Sequence, residues 1–132
     1  MNVEALTRNL LLIGTTAAWS NHPEPAEQIF SGIIRYRADN RCAHLGRCLI
    51  PLSKNDVPET ISQLRVVVQN FPDFRDAKLM FAQISNHAGD EAWRYWVEQI
   101  LKDEVQDSIR QKALALLEQS PRAFIPPHSI KG

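Results

Sequence analysis

Leu6, Leu10, Ile13 and Ala17 follow one another at three- and four-residue steps, the spacing that lays one buried apolar face along a helix. Leu64, Val67, Val68 and Phe71 repeat that spacing. So do Val97, Ile100 and Leu101, and then Ile109, Ala113, Leu116 and Leu117. No stretch reads as a strand. Val66-Val67-Val68 favours extended backbone locally, but the run is short and sits inside a helical frame. The pattern predicts an all-α chain.

The breaks between these runs set the expected helices. The first runs from about Val3 to Trp19 and is broken by Ser20-Asn21-His22-Pro23-Glu24. Pro25 suits the first position of the second helix, where no amide hydrogen bond is lost. That helix runs to about Tyr36. A third spans roughly Cys42 to Ser53, with Pro51 expected to kink or shorten its end. Asp56 is placed to cap the fourth, which ends at Phe71-Pro72, and Glu59 to reach back. Asp73 is the expected cap of a fifth helix ending at His87, with Gly89 as its left-handed terminator. Asp90 opens a sixth, to about Lys102, and a seventh covers about Glu104 to Gln119. Residues 1–120 then form one domain. Residues 121–132, with three prolines, read as an extended or mobile tail.

Short helices joined by tight turns invite a search for internal repetition. Ala26, Phe30, Ile33 and Ala38 recur about 34 residues later as Thr60, Leu64, Val67 and Pro72. Ile13-Gly14 is matched by Arg47-Cys48 and again by Phe81-Ala82. A helix–turn–helix unit of that length has the tetratricopeptide repeat (TPR) period. Small residues at Gly14, Ala26 and Ala82 allow close approach of paired helices, and Phe30, Leu64 and Phe81 fill the space between them. The expected architecture is a TPR-like superhelix of about three such units, at 7–40, 41–74 and 75 to about 103, plus a C-terminal capping helix. Leu45-Gly46 fits better at a two-residue shift, which leaves the register of the second unit open. The alternative is a non-repetitive bundle with coincidental spacing.

Charge narrows the partners. Fifteen basic residues balance fifteen acidic ones among 132. The chain lacks the basic face that nucleic acid demands, and little net repulsion opposes self-association. Cys42 and Cys48 lie six residues apart, about 240° around a helix, so they do not read as a disulfide. Two free thiols suit a reducing compartment. Met1-Asn2-Val3-Glu4 lacks the basic start of a signal peptide, and Leu10–Ile13 is too short to span a membrane. The expectation is a cytoplasmic protein without membrane insertion.

Three segments carry a resemblance: Pro25-Ala26-Glu27-Gln28-Ile29-Phe30, Ala77-Lys78-Leu79-Met80-Phe81-Ala82, and Gly89-Asp90-Glu91-Ala92-Trp93-Arg94 with the closing Ala113-Leu114-Ala115-Leu116-Leu117-Glu118. With the overall size, they resemble the small TPR-like proteins of bacterial type III secretion systems, including needle-subunit chaperones of the YscG and EscG kind and small Hrp-system proteins. The resemblance covers about Leu6 to Gln119. It implies cytosolic storage of an aggregation-prone secreted subunit, whose amphipathic helix lies in the repeat groove, often with a small helical co-chaperone. A general bacterial TPR adaptor outside secretion is the alternative. Pro51 and the irregular second unit depart from a regular repeat.

In stacked helical repeats the first helix of each pair lines the concave surface. The register then gives a partner-binding groove of Arg8, Leu11, Thr15 and Trp19, of Leu45, Leu49 and Leu52, and of Asp76, Leu79 and Gln83. An amphipathic helix docking its apolar side would use the leucines, while Arg8 and Asp76 would set its direction. A register one or two residues off would make some of these leucines core. Trp93, Tyr95 and Trp96 are a candidate second interface, for a partner or a homodimer mate, or else core and cap packing. Nothing points to catalysis or a cofactor. His22, His44, His87 and His128 show no metal spacing; His44 and Cys48 lie one turn apart, but two ligands do not make a site. The five glycines form no phosphate-binding loop.

Overall fold

The computed structural model describes residues 2–102 and 106–124, which form seven helices and no strand. They are α1 (Val3–Trp19), α2 (Pro23–Tyr36), α3 (Arg41–Ser53), α4 (Val57–Asn70), α5 (Arg75–His87), α6 (Ala92–Lys102) and α7 (Asp107–Phe124). The chain divides into two compact units, Met1–Phe71 with α1–α4 and Pro72–Gly132 with α5–α7. No helix among the described residues is long and apolar enough to cross a membrane.

Local chemistry explains most of the boundaries. Asn2 caps α1 by accepting from the Ala5 amide at 2.7 Å, and Asn40 caps α3 through Ala43 at 3.0 Å. Asp56 caps α4 by accepting from the Glu59 amide at 3.2 Å. The buried Thr60 hydroxyl is satisfied there by donating to the Asp56 carbonyl at 2.8 Å. α2 begins two residues before the expected Pro25. Its first amide donor is Ala26, to the His22 carbonyl at 3.2 Å, so both prolines sit where no helical bond is lost. Asp73 does not cap α5. The helix starts later, behind Phe74, and the Asp73 carbonyl instead accepts from Arg75 Nη1 at 2.7 Å. α7 runs on to Phe124, past Pro121 and into the stretch expected to be extended. The expected helix start at Glu104 and the rest of that tail, 125–132, lie outside the described residues.

The turns repeat. Asn21, Asn55 and Gly89 all have positive φ, at 65°, 61° and 79°, and stand 34 residues apart each time. The next amide reaches back the same way at each: His22 to Ala17, Asp56 to Pro51 and Asp90 to Ser85, at 2.8, 2.9 and 2.8 Å. The turn residue's own amide reaches Ala18, Leu52 and Asn86 in the same order. This is one Schellman-type helix ending used three times. Asn and Gly are the residues that tolerate the left-handed region, which explains their places here. No atom would obstruct a side chain at Gly89, so backbone strain alone governs replacement there. Gly89→Val is expected to cost about 1–2 kcal/mol and Gly89→Asn far less, as read from urea unfolding midpoints.

Packing follows the same period. Ala26, Phe30 and Ile33 are buried in α2, and Thr60, Leu64 and Val67 in α4. Trp93, Val97 and Ile100 keep the same internal spacing in α6, one residue early. In the first unit Phe30 is fully enclosed, with its ring against Gly14 of α1 and Gly46 of α3. A Cβ on either glycine would lie under 3.0 Å from the ring. Gly46 is thus the landing place of the α2 phenylalanine, while Cys48 is buried at the position that matches Gly14. One expectation fails in α1. Leu6 and Ile13 are 48% and 54% exposed, and the buried residues of that helix are Gly14 and Ala18. In the second unit Leu79 and Ala82 of α5, Trp93, Val97 and Ile100 of α6, and Ala113 and Leu116 of α7 form one core.

Candidate protein-binding site

The sequence-derived groove residues separate into exposed, half-buried and sealed positions. In the first unit Arg8 is exposed and Leu11 half-buried, and both line a shallow recess of about 280 Å³ with Arg37 and Asn40. Thr15 is half-buried, its hydroxyl donating to the Leu11 carbonyl at 2.8 Å. Trp19 stands 55% exposed at the end of α1. On α3, which packs against α1, Leu45 and Leu52 are half-buried. These residues leave apolar surface on α1 and on α3, the chemistry an amphipathic helix needs.

Two groove positions are corrected. Leu49 is buried and offers almost no surface. Leu79 belongs to the core of the second unit, against α6 and α7. Asp76 and Gln83 of α5 are exposed, as a lining position requires. The two readings of the aromatic cluster divide among its members. Trp93 is a core residue at 2% exposure. Trp96 is half-buried and stacked on Phe81 at 4.8 Å between centroids. Tyr95, set edge-on to Trp96 at 5.0 Å, is the one of the three with substantial free surface.

Polar groups near the first unit are engaged in structure. His44 Nε2 lies 2.8 Å from the Ala38 carbonyl, and its ring is 5.3 Å from that of Phe71. Arg47 and Glu27 pair at 3.0 Å across α3 and α2. Cys48 Sγ lies 3.6 Å from the His44 carbonyl. Burial pushes its thiol from 9.0 up to about 12, with Arg47 pulling weakly the other way. Stability contributed by the neutral Cys48 is therefore intact below pH 9 and falls away as pH rises towards 12. In native buffer a thiol reagent such as DTNB is expected to label Cys42, which is exposed, and to reach Cys48 only after denaturant is added. Rapid labelling of both thiols in the folded protein would contradict this placement. Among the described residues no three His, Cys, Asp or Glu side chains gather as metal ligands.

Sequence reasoning missed an apolar open concavity of the first unit. It lies between α1 and α2, holds about 410 Å³, and is lined by Val3, Leu6 and Leu10 together with Ile29, Gly32 and Tyr36. The signal was present in Leu6, Leu10 and Ile13, whose regular spacing looks the same whether the face is covered or open. Compared with known proteins, the chain matches no protein-family model, and none of the curated proteins matches it.

Proposed function

We propose that this protein is a TPR-type helical-repeat scaffold that holds an amphipathic helix of a partner protein, and that it performs no catalysis. One observation carries the reading: the same left-handed turn, with the same hydrogen bond, at residues 21, 55 and 89. A period of 34 residues built on helix pairs is that of the TPR. In such arrays the first helices of the pairs line the ligand groove. Leu11, Trp19, Leu45 and Leu52 on α1 and α3 supply apolar surface of the kind that takes a helix.

The finer reading is a cytosolic chaperone of a type III secretion system, storing a needle-type subunit with or without a small co-chaperone. It is supported by the resemblance in residues 25–30, 77–82 and 89–94 and by the overall size. Co-expression tests it. A short helical secreted subunit encoded beside this chain is expected to co-purify with it as a stoichiometric complex and to be insoluble without it. A subunit that stays soluble alone and does not co-purify would remove the secretion reading and leave the general adaptor.

A further inference from the structure

The apolar surface of α1 and α3 has one charged end. Arg8, Leu12, Thr15 and Trp19 are four, three and four residues apart, so they share one line along α1. Leu12 and Trp19 on that line are 66% and 55% exposed. From Asn9 to Pro23 the chain has no Asp, Glu, Lys or Arg, so beyond Arg8 the line stays uncharged to its end. On α3 the half-buried Leu45 and Leu52 add to the apolar surface.

Arg8 also lines the recess of about 280 Å³ where α1 and α3 begin. The rest of its lining is Val3, Glu4, Thr7 and Leu11 of α1, with Arg37 and Asn40 just ahead of α3. Two guanidinium groups therefore share the recess with one carboxylate. The flanking Asp39 and Arg41 leave that positive excess unchanged. Among the described residues neither Arg8 nor Arg37 forms an ion pair, and Glu4, one turn before Arg8, does not join it. Arg37 lies over the Tyr36 ring, 5.9 Å from its centroid, a contact that leaves its charge uncompensated.

We infer that the helix held by α1 and α3 is acidic at one end, where a Glu or Asp side chain enters the Arg8/Arg37 recess. The inference rests on the helix-binding reading above and adds the chemistry and the direction of the guest. Apolar contacts alone accept a guest either way round. The arginines do not, because only one end of the guest passes over them, so charge decides which way it lies. A guanidinium takes a carboxylate through two N–H donors at once, which a neutral amide cannot match. Leu12 and Trp19 are about 10 Å apart along α1, and Arg8 is about 6 Å farther on. The guest then needs an apolar stripe of about two turns, with its carboxylate about one turn beyond.

Three synthetic helices, labelled with fluorescein and blocked at both termini, test this by fluorescence anisotropy with the full-length chain. Each has leucines at i, i+4 and i+7 on an alanine and glutamine background. They differ only at i+11, which is Glu, Gln or Lys, residues of similar helix propensity. The Glu helix is expected to bind about fivefold more tightly than the Gln helix, and the Lys helix more weakly than either. The difference should shrink at high salt. Arg8→Gln with Arg37→Gln, both at exposed positions, should abolish the advantage of the Glu helix. Arg8→Glu with Arg37→Glu should put the Lys helix first, with the circular dichroism spectrum unchanged. Lys54→Glu, at the other end of α3, should leave the original order in place. Equal affinity of the three helices for the unaltered chain overturns the inference and leaves the helix-binding reading standing. An order that survives the charge reversal does the same. If none of the three binds, the helix-binding reading falls and the inference falls with it.

Discussion

Phe30→Ala is expected to remove about 3–5 kcal/mol of folding stability, a large part of the roughly 5–15 kcal/mol that holds a small domain together. Phe30 is fully enclosed, and its ring meets glycines on two other helices, Gly14 of α1 and Gly46 of α3. Deleting the ring therefore leaves a void where three helices meet, and none of the three can close it alone. The opposite change makes the same point. Gly46→Ala adds a methyl group inside the contact distance of that ring, and a ring already enclosed has nowhere to go. Overpacking of this kind costs about 1–3 kcal/mol. Combining Gly46→Ala with Phe30→Leu should cost less than the sum of the two, because the smaller side chain gives back space to the methyl. Urea unfolding followed by circular dichroism reads all three. A loss below about 1 kcal/mol for Phe30→Ala would mean that α1, α2 and α3 are not wedged on this side chain.

The second large effect falls on binding. Leu11→Glu with Leu45→Glu is expected to weaken capture of a partner helix about 100-fold or more, taking each leucine as worth about 1.5–3 kcal/mol when covered. Both are half-buried, so part of each is available to a ligand. Leu49→Glu and Leu79→Glu would not report on binding. Both positions are buried, and a carboxylate there would unfold the chain before it repelled a partner. Trp19→Ala separates the two effects more cleanly. The indole is 55% exposed at the end of α1, so its loss should leave the urea midpoint almost unchanged while weakening binding about tenfold. Unaltered capture by a folded Leu11/Leu45 double variant would exclude this side of α1 and α3.

Much of the fold was readable in the chain, for physical reasons that also mark where reading fails. The seven helices follow from period and punctuation. The α1 bounds and the ends of α3 and α5 fall where expected because an Asn or Gly stands two residues beyond the last helical residue, and α2 also ends at Tyr36 as expected, though there Arg37 turns extended instead. Asp73 misled because Phe74 is itself buried, which draws the chain inward before the helix begins at Arg75. The third pair slips by one residue. α6 begins later after Gly89 than α4 does after Asn55, and Trp93 takes the buried place that a strict 34-residue step would give to Arg94.

Site residues were harder to read than helices. A first helix in a stack is touched by its own partner helix and by its neighbour, so apolar residues occur around most of its circumference. Period alone then cannot separate Leu45, half-buried, from Leu49, sealed. Leu79 is taken up by α6 and α7, and no local pattern near residue 79 announces that. The same ambiguity hid the α1/α2 face. Leu6 and Ile13 have the spacing of a buried stripe and yet lie open.

Hydrogen–deuterium exchange on the full chain, with and without a bound partner helix, tests the central reading most directly. Slower exchange at the groove-facing ends of α1 and α3, around Leu11 to Trp19 and Leu45 to Ser53, is the predicted result. Slowing confined to α2 and α4, or none in either first helix while the complex is fully formed, would contradict it.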